Sequence, residues 1–240
     1  MKIGILQCDS TNLEFRSEHG NYPEMFISIF ESVDRSLEFE VYDVQLNQYP
    51  KEIEECDAYL VTGSRFSVYD KNEWIWRLEN YVIELHQRKH PLIGICFGHQ
   101  IVAKALGGKT ELAAKGWGVG VHKYSKTLSK SWLTPDLDNF SLIVSHQDQV
   151  TELPKGAELL AGSEFCPLAA FRIGEHVLTF QGHPEFSKDY SKVLIVLRKE
   201  KLGNTVYVEG LKSLVNPIHS QIIIKWITNF LRRAVYLHKK

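Results

Sequence analysis

The chain has 240 residues, 44% of them hydrophobic and 24% charged, and a formal net charge of -1, a balance that provides a substantial apolar core. The near-zero charge and the absence of any long basic run exclude a phosphate-backbone footprint and a polybasic membrane contact, so no nucleic acid and no membrane is expected among the partners. No stretch approaches the ~20 apolar residues that span a bilayer. The cysteines (Cys8, Cys56, Cys96 and Cys166) form no CxxC pair and no histidines stand at metal-ligand spacing, which predicts a cytoplasmic protein with no metal and no cofactor.

In chain order, MKIGILQCDS is too short for a secretory apolar region and reads as the first strand. Residues 23–35 place Phe26, Ile29, Phe30 and Val33 at helical spacing, and FEVYDV (39–44) and DAYLVT (57–62) read as strands. Ile75, Leu78, Val82 and Leu85 repeat every three to four residues within a helix over 73–89, stopped by Pro91, and the strand PLIGIC (91–96) follows. This alternation predicts a doubly wound, mostly parallel α/β sheet. From 117 to 181 the pieces WGVGVHKY, FSLIVS, AELLAG, PLAAFRI and HVLTFQ leave no room for crossover helices, so an antiparallel section is expected. Two helices close the chain, over 189–201 and from Asn216-Pro217, read as N-cap and first helical residue, to 234. With no repeat or linker, residues 1–240 read as one domain carrying a helical carboxy-terminal addition over 187–240.

The chemistry concentrates at Gly94-Ile95-Cys96-Phe97-Gly98, where a strand turns into a helix that Gly107-Gly108 ends. Glycines two before and two after a cysteine fit a nucleophile elbow, in which larger side chains would collide as strand and helix converge. A helix N-terminus favours the thiolate, and the elbow is expected to hold the Cys96 side chain at an exposed position. The other three cysteines read as small buried hydrophobes. QGHPEF (181–186) supplies a base and its orienter: Pro184 biases His183 toward extended backbone, and in extended backbone Glu185 shares a face with His183. The Gly63-Ser64 turn after the third strand lies where backbone N–H groups join that of Phe97 to hold a developing oxyanion. Arg65 and Trp117 are expected either at the pocket border or simply on the surface.

GICFGHQ together with GHPEF resembles the class I (triad) glutamine amidotransferases, from the first strand to about Ser187. The resemblance implies a flavodoxin-like fold and a reaction in which Cys96 attacks the side-chain amide of glutamine, ammonia leaves, and water hydrolyses a γ-glutamyl thioester. It makes His183 the base and then the acid, Glu185 its orienter, Ser64 and Phe97 the backbone oxyanion donors, and Gly63 and Gln100 substrate contacts. SHQDQV is similar to the family's substrate loop, which adds Ser145, His146 and Gln147; His146 reads equally as a structural residue, since the base role is filled. Many synthetase-linked members carry a glycine where Gln147 stands, and a Gly-Gly-Pro or Asn-Gly-Pro turn where this chain has Thr62-Gly63-Ser64-Arg65. These departures resemble the stand-alone branch, similar to the amidotransferase domain of GMP synthase and including γ-glutamyl peptidases. No GxxxxGK[ST] loop is present, so amination of a second substrate would need a partner synthase. Three functions stay open: hydrolysis of glutamine with ammonia passed to such a partner, hydrolysis of γ-glutamyl peptides or amines with the same triad, and a catalytically silent regulatory subunit.

Overall fold

The computed structural model describes residues 1–240. Its first half alternates strand and helix: β1 (Lys2–Gln7), α1 (Leu13–His19), α2 (Tyr22–Glu31), β2 (Glu38–Asp43), β3 (Ala58–Val61), α3 (Glu73–Gln87), β4 (Leu92–Ile95) and α4 (Phe97–Ala105). A run of strands follows without a helix: β5 (Lys109–Leu112), β6 (Gly118–Lys126), β7 (Asn139–His146), β8 (Asp148–Glu152), β9 (Ala157–Gly162), β10 (Ala170–Ile173) and β11 (Val177–Phe180). The helices α5 (Lys188–Leu197), α6 (Lys199–Ser213, kinked at Gly203) and α7 (Ser220–His238) complete the chain.

A single mixed sheet of 9 strands runs in the order β2-β1-β3-β4-β11-β10-β9-β6-β7. The strands from β2 to β11 are parallel, and the rest pair antiparallel. The antiparallel section therefore continues the parallel one edge to edge, and only β5 and β8 form a separate two-stranded ribbon. In the central strands β3, β4, β10 and β11 every residue is buried, which accounts for their unbroken apolar sequences.

Alternate residues of each strand face opposite layers. Ile3, Ile5, Ile93 and Ile95 pack with Phe26 and Phe30 of α2 and with Trp226, Ile227 and Phe230 of α7. Leu92 and Val61 pack on the other face with Ile75, Leu78 and Val82 of α3 and Ile101 and Val102 of α4. Each such fully buried aliphatic side chain stabilises the fold by about 1.5–3 kcal/mol. No helix is long and apolar enough to cross a membrane.

The start expected for the last helix is overturned: α7 begins at Ser220 with His219 as its N-cap, not at Pro217. The His219 N–H donates to the Ser141 carbonyl at 2.8 Å, and His219 Nδ1 accepts from the Ser141 N–H at 3.0 Å. These two bonds to β7, one from the backbone and one to the side chain of His219, hold the segment outside a helix despite its Asn-Pro signature. The helix expected over 189–201 ends at Leu197, and the chain turns at Arg198 into α6.

Candidate active site

Cys96 sits between the end of β4 and the start of α4 with φ 54° and ψ -102°, in the left-handed half of backbone space that side chains other than glycine rarely occupy. The conformation is held from both sides: Cys96 N–H donates to the Phe180 carbonyl of β11 at 2.9 Å, and the Cys96 carbonyl accepts the first helical bond, from Gln100 N–H, at 3.0 Å. The flanking glycines are required by close approach. A Cβ on Gly94 would lie 2.5 Å from the Gly98 carbonyl oxygen, and one on Gly98 would lie 2.2 Å from that of Val61. The expected exposure is corrected, since only 5% of Cys96 is accessible; its thiol lies at the bottom of a cleft instead of standing clear of the sheet. Cys8, Cys56 and Cys166 are buried too, and burial pushes the Cys8 and Cys166 thiols well up, the latter to about 12.

His183 follows β11, the strand paired in parallel with β4. Its N–H donates to the Ile143 carbonyl at 2.8 Å, tying it to β7, and its ring stacks on Phe186 with centroids 3.9 Å apart and planes 6° from parallel. Nδ1 pairs with Glu185 Oε1 at 2.7 Å, and the charge of Cys96 acts on the ring. Burial alone would lower the His183 pKa, but the charges of Glu185 and Cys96 and the hydrogen bond to Glu185 raise it, to about 10. The arrangement favours an imidazolium beside the sulfur, the form that can hand a proton to a departing nitrogen.

The Gly63-Ser64 turn lies against this pair. A Cβ on Gly63 would fall 2.9 Å from His183 Cε1 and 3.7 Å from Cys96 Cβ, so the backbone passes directly over Cys96 and His183. The loop is anchored to the end of β1: Ser64 Oγ donates to the Cys8 carbonyl at 3.1 Å, and Asp9 Oδ2 accepts from Arg65 N–H at 2.9 Å and from Arg65 Nε at 2.8 Å. Phe97 opens α4, so its N–H is one of the first-turn amides without an acceptor inside the helix.

Gln100, Ser145, His146 and Gln147 all line the same cleft as Cys96. Gln100 is engaged internally, its Nε2 donating to the Asp148 carbonyl at 2.8 Å and to Gln181 Oε1 at 3.1 Å, which positions the segment after β7. His146 is 4% exposed, its Nδ1 bonds the Asp148 carbonyl at 3.0 Å, and burial lowers its pKa to about 3, the state of a neutral packing residue. Arg65 and Trp117 both border the cleft. Sequence reasoning missed Asp9, Tyr22 and Arg198, which also line it, and gave no role to Asp148, which lines it within the SHQDQV motif. Asp9, Tyr22 and Arg198 come from three separate parts of the chain, and no local pattern marks them.

The cleft measures about 770 Å³, within the ~300–1,000 Å³ of small-molecule sites. The family model for glutamine amidotransferase class-I matches residues 22–197. The chain is 31% identical over 240 residues to gamma-glutamyl peptidase 3 of Arabidopsis thaliana, covering 95% of this chain and 94% of that protein. It is 35% identical over 217 residues to a Saccharomyces cerevisiae protein provisionally named a glutamine amidotransferase, covering 84% and 85%. Among solved structures, a glutamine amidotransferase from Thermotoga maritima superposes with a TM-score of 0.75 at 21% identity, over 97% of this chain and 98% of that one; its likeness is one of fold. The match across most of the chain, on a sheet of this topology with a cysteine elbow beside a histidine-carboxylate pair, means that this chain belongs to the class I glutamine amidotransferase family.

Proposed function

We propose that the protein hydrolyses γ-glutamyl amide bonds through a thioester on Cys96, with an amine or a peptide as leaving group. The observation that carries this reading is the buried Cys96–His183–Glu185 cluster opening into a cleft of about 770 Å³, more space than a single glutamine fills. The Cys96 thiolate attacks the γ-carbonyl carbon, and the oxyanion that forms is held by backbone N–H groups of Ser64 and Phe97, each such donor being worth about 2.7–4 kcal/mol in the transition state. As the C–N bond breaks, the His183 imidazolium protonates the departing nitrogen. The now neutral imidazole takes a proton from water, the resulting hydroxide attacks the thioester, and glutamate leaves as the proton returns to the Cys96 sulfur. Glu185 keeps the imidazole oriented and stabilises its charge throughout. The full-length similarity to a protein named gamma-glutamyl peptidase supports an amine or peptide as the leaving group.

Similarity to the protein provisionally named a glutamine amidotransferase favours a second reading, in which glutamine itself is the substrate and ammonia passes to a partner synthase. The test incubates the purified protein with glutamine and with a panel of γ-glutamyl amino acids, peptides and amines, following ammonia and glutamate. Preferential cleavage of the larger substrates supports the first reading, and ammonia from glutamine alone supports the second. No turnover of any of them sinks both and leaves a silent subunit.

A further inference from the structure

The cleft carries charge that the thioester chemistry does not use. Arg65, Arg198 and Lys201 line it against Asp9 and Asp148. Both carboxylates are already engaged within the protein: Asp9 holds Arg65, and Asp148 accepts from the hydroxyls of Ser67 at 2.5 Å and Tyr69 at 2.8 Å. Arg198 has no carboxylate partner. Its Nη1 donates to Ser145 Oγ, and its guanidinium lies 5.4 Å from the centroid of the Trp117 ring. The guanidinium of a half-buried arginine, lying over an aromatic ring and bonded to a hydroxyl, is pre-organised for an anion that the chain itself does not supply. Arg65 is immobilised as well, its Nη2 donating to the Ser10 carbonyl at 2.8 Å in addition to the Asp9 contacts.

Position indicates which anion. Arg65 and Arg198 line both the wider cleft and the narrow crevice that holds Cys96, His183 and Glu185, whereas Gln100, His146, Gln147 and Asp148 line only the wider cleft. The imidazole that protonates the departing nitrogen marks the side from which the leaving group exits. We propose that Arg198, together with Arg65, is a carboxylate subsite for the leaving group, so that the preferred substrates are γ-glutamyl amino acids or peptides whose departing amine carries a free carboxylate. The inference rests on the γ-glutamyl hydrolase reading and adds to it a requirement on the leaving half of the substrate.

The experiment measures kcat/KM of the full chain for γ-glutamylglycine, for γ-glutamylglycinamide and for glutamine. Wild type favours the acid over the amide by about tenfold or more, the scale of one charge-assisted hydrogen-bonded contact. Arg198→Met brings that ratio toward one, chiefly through KM for the acid; Arg198→Lys keeps part of the preference, and Arg65→Met reduces it. A wild-type ratio near one overturns the subsite while leaving the hydrolase reading intact, and this outcome needs no variant to fold. Equal losses on acid, amide and glutamine in Arg198→Met also overturn it, because they put the guanidinium on the glutamyl half. Absence of hydrolysis of every γ-glutamyl compound by wild type overturns the hydrolase reading and the subsite together.

Discussion

Gly63→Ala isolates the close approach over the reacting groups, because alanine retains the backbone N–H and adds a single methyl. That methyl would stand 2.9 Å from His183 Cε1, whereas carbon atoms in good contact are ~3.5–4.0 Å apart. Relief therefore needs a displacement of roughly 0.6–1.1 Å. The ring has little freedom to give it, being stacked on Phe186 at 3.9 Å, paired with Glu185 at 2.7 Å and anchored by its own N–H on Ile143. Moving the loop instead shifts the Ser64 N–H from the oxyanion position. Either adjustment misplaces a reacting group by an amount that costs on the order of 100-fold in rate. Overpacking of this size destabilises by about 1–3 kcal/mol, which for a chain of this length lowers the unfolding midpoint by several degrees without abolishing the fold. The assay pairs kcat/KM on a γ-glutamyl peptide with thermal unfolding of the same preparation. A folded Gly63→Ala protein working within about threefold of wild type, well short of that 100-fold loss, would refute the argument that the imidazole is pinned at this place.

Cys96→Ser should abolish turnover and leave the unfolding midpoint nearly unchanged, since oxygen replaces sulfur in the same backbone conformation; wild-type hydrolysis of γ-glutamyl amides by this variant would remove Cys96 from the mechanism. Glu185→Gln should retain more activity than His183→Ala, because it weakens orientation of the base and not the base itself, and kinetics showing the reverse order would reverse the assigned roles. Acid should destabilise the fold through His99 and His146, whose pKa values burial lowers to about 3. The unfolded chain takes up these protons near pH 6.5 and the native state does not, so their stabilisation is complete above pH 6.5 and is lost as pH falls toward about 3. At pH 5 each group has lost roughly 2 kcal/mol. Urea unfolding between pH 7 and pH 5 reads this directly, and an unchanged free energy would contradict it.

The chemistry was more legible in the sequence than the recognition surface. Gly94, Gly98, Pro184 and the spacing of His183 from Glu185 are local constraints, so the elbow and the histidine-carboxylate pair could be read from short windows. Cys96 was misjudged as exposed because an elbow specifies a backbone turn, not the walls around it, which come from residues 63–65, β7 and α5. The ribbon of β5 and β8 escaped detection because KTEL and DQVTE carry charge and are partly exposed, with no apolar alternation for a strand pattern to use. Helix α1 has no buried residue, so LEFRSEH shows no core-facing stripe. Arg198 could not be singled out: its significance lies in contacts with Ser145 and Trp117, far away in the chain.

The parallel pairing of β11 with β4, register Phe180 opposite Ile95, makes the spacing between sulfur and imidazole a property of the sheet ladder. Sliding one strand by a single residue would move its end about 3.3 Å and turn its side chains over, so drift in this spacing is forbidden unless the whole sheet is rebuilt. The segments that frame the rest of the cavity, the bend after β3 and the junction of α5 with α6, are under no such restraint. A lineage built on this frame can exchange its clientele by editing those two margins while Cys96 and His183 stay put.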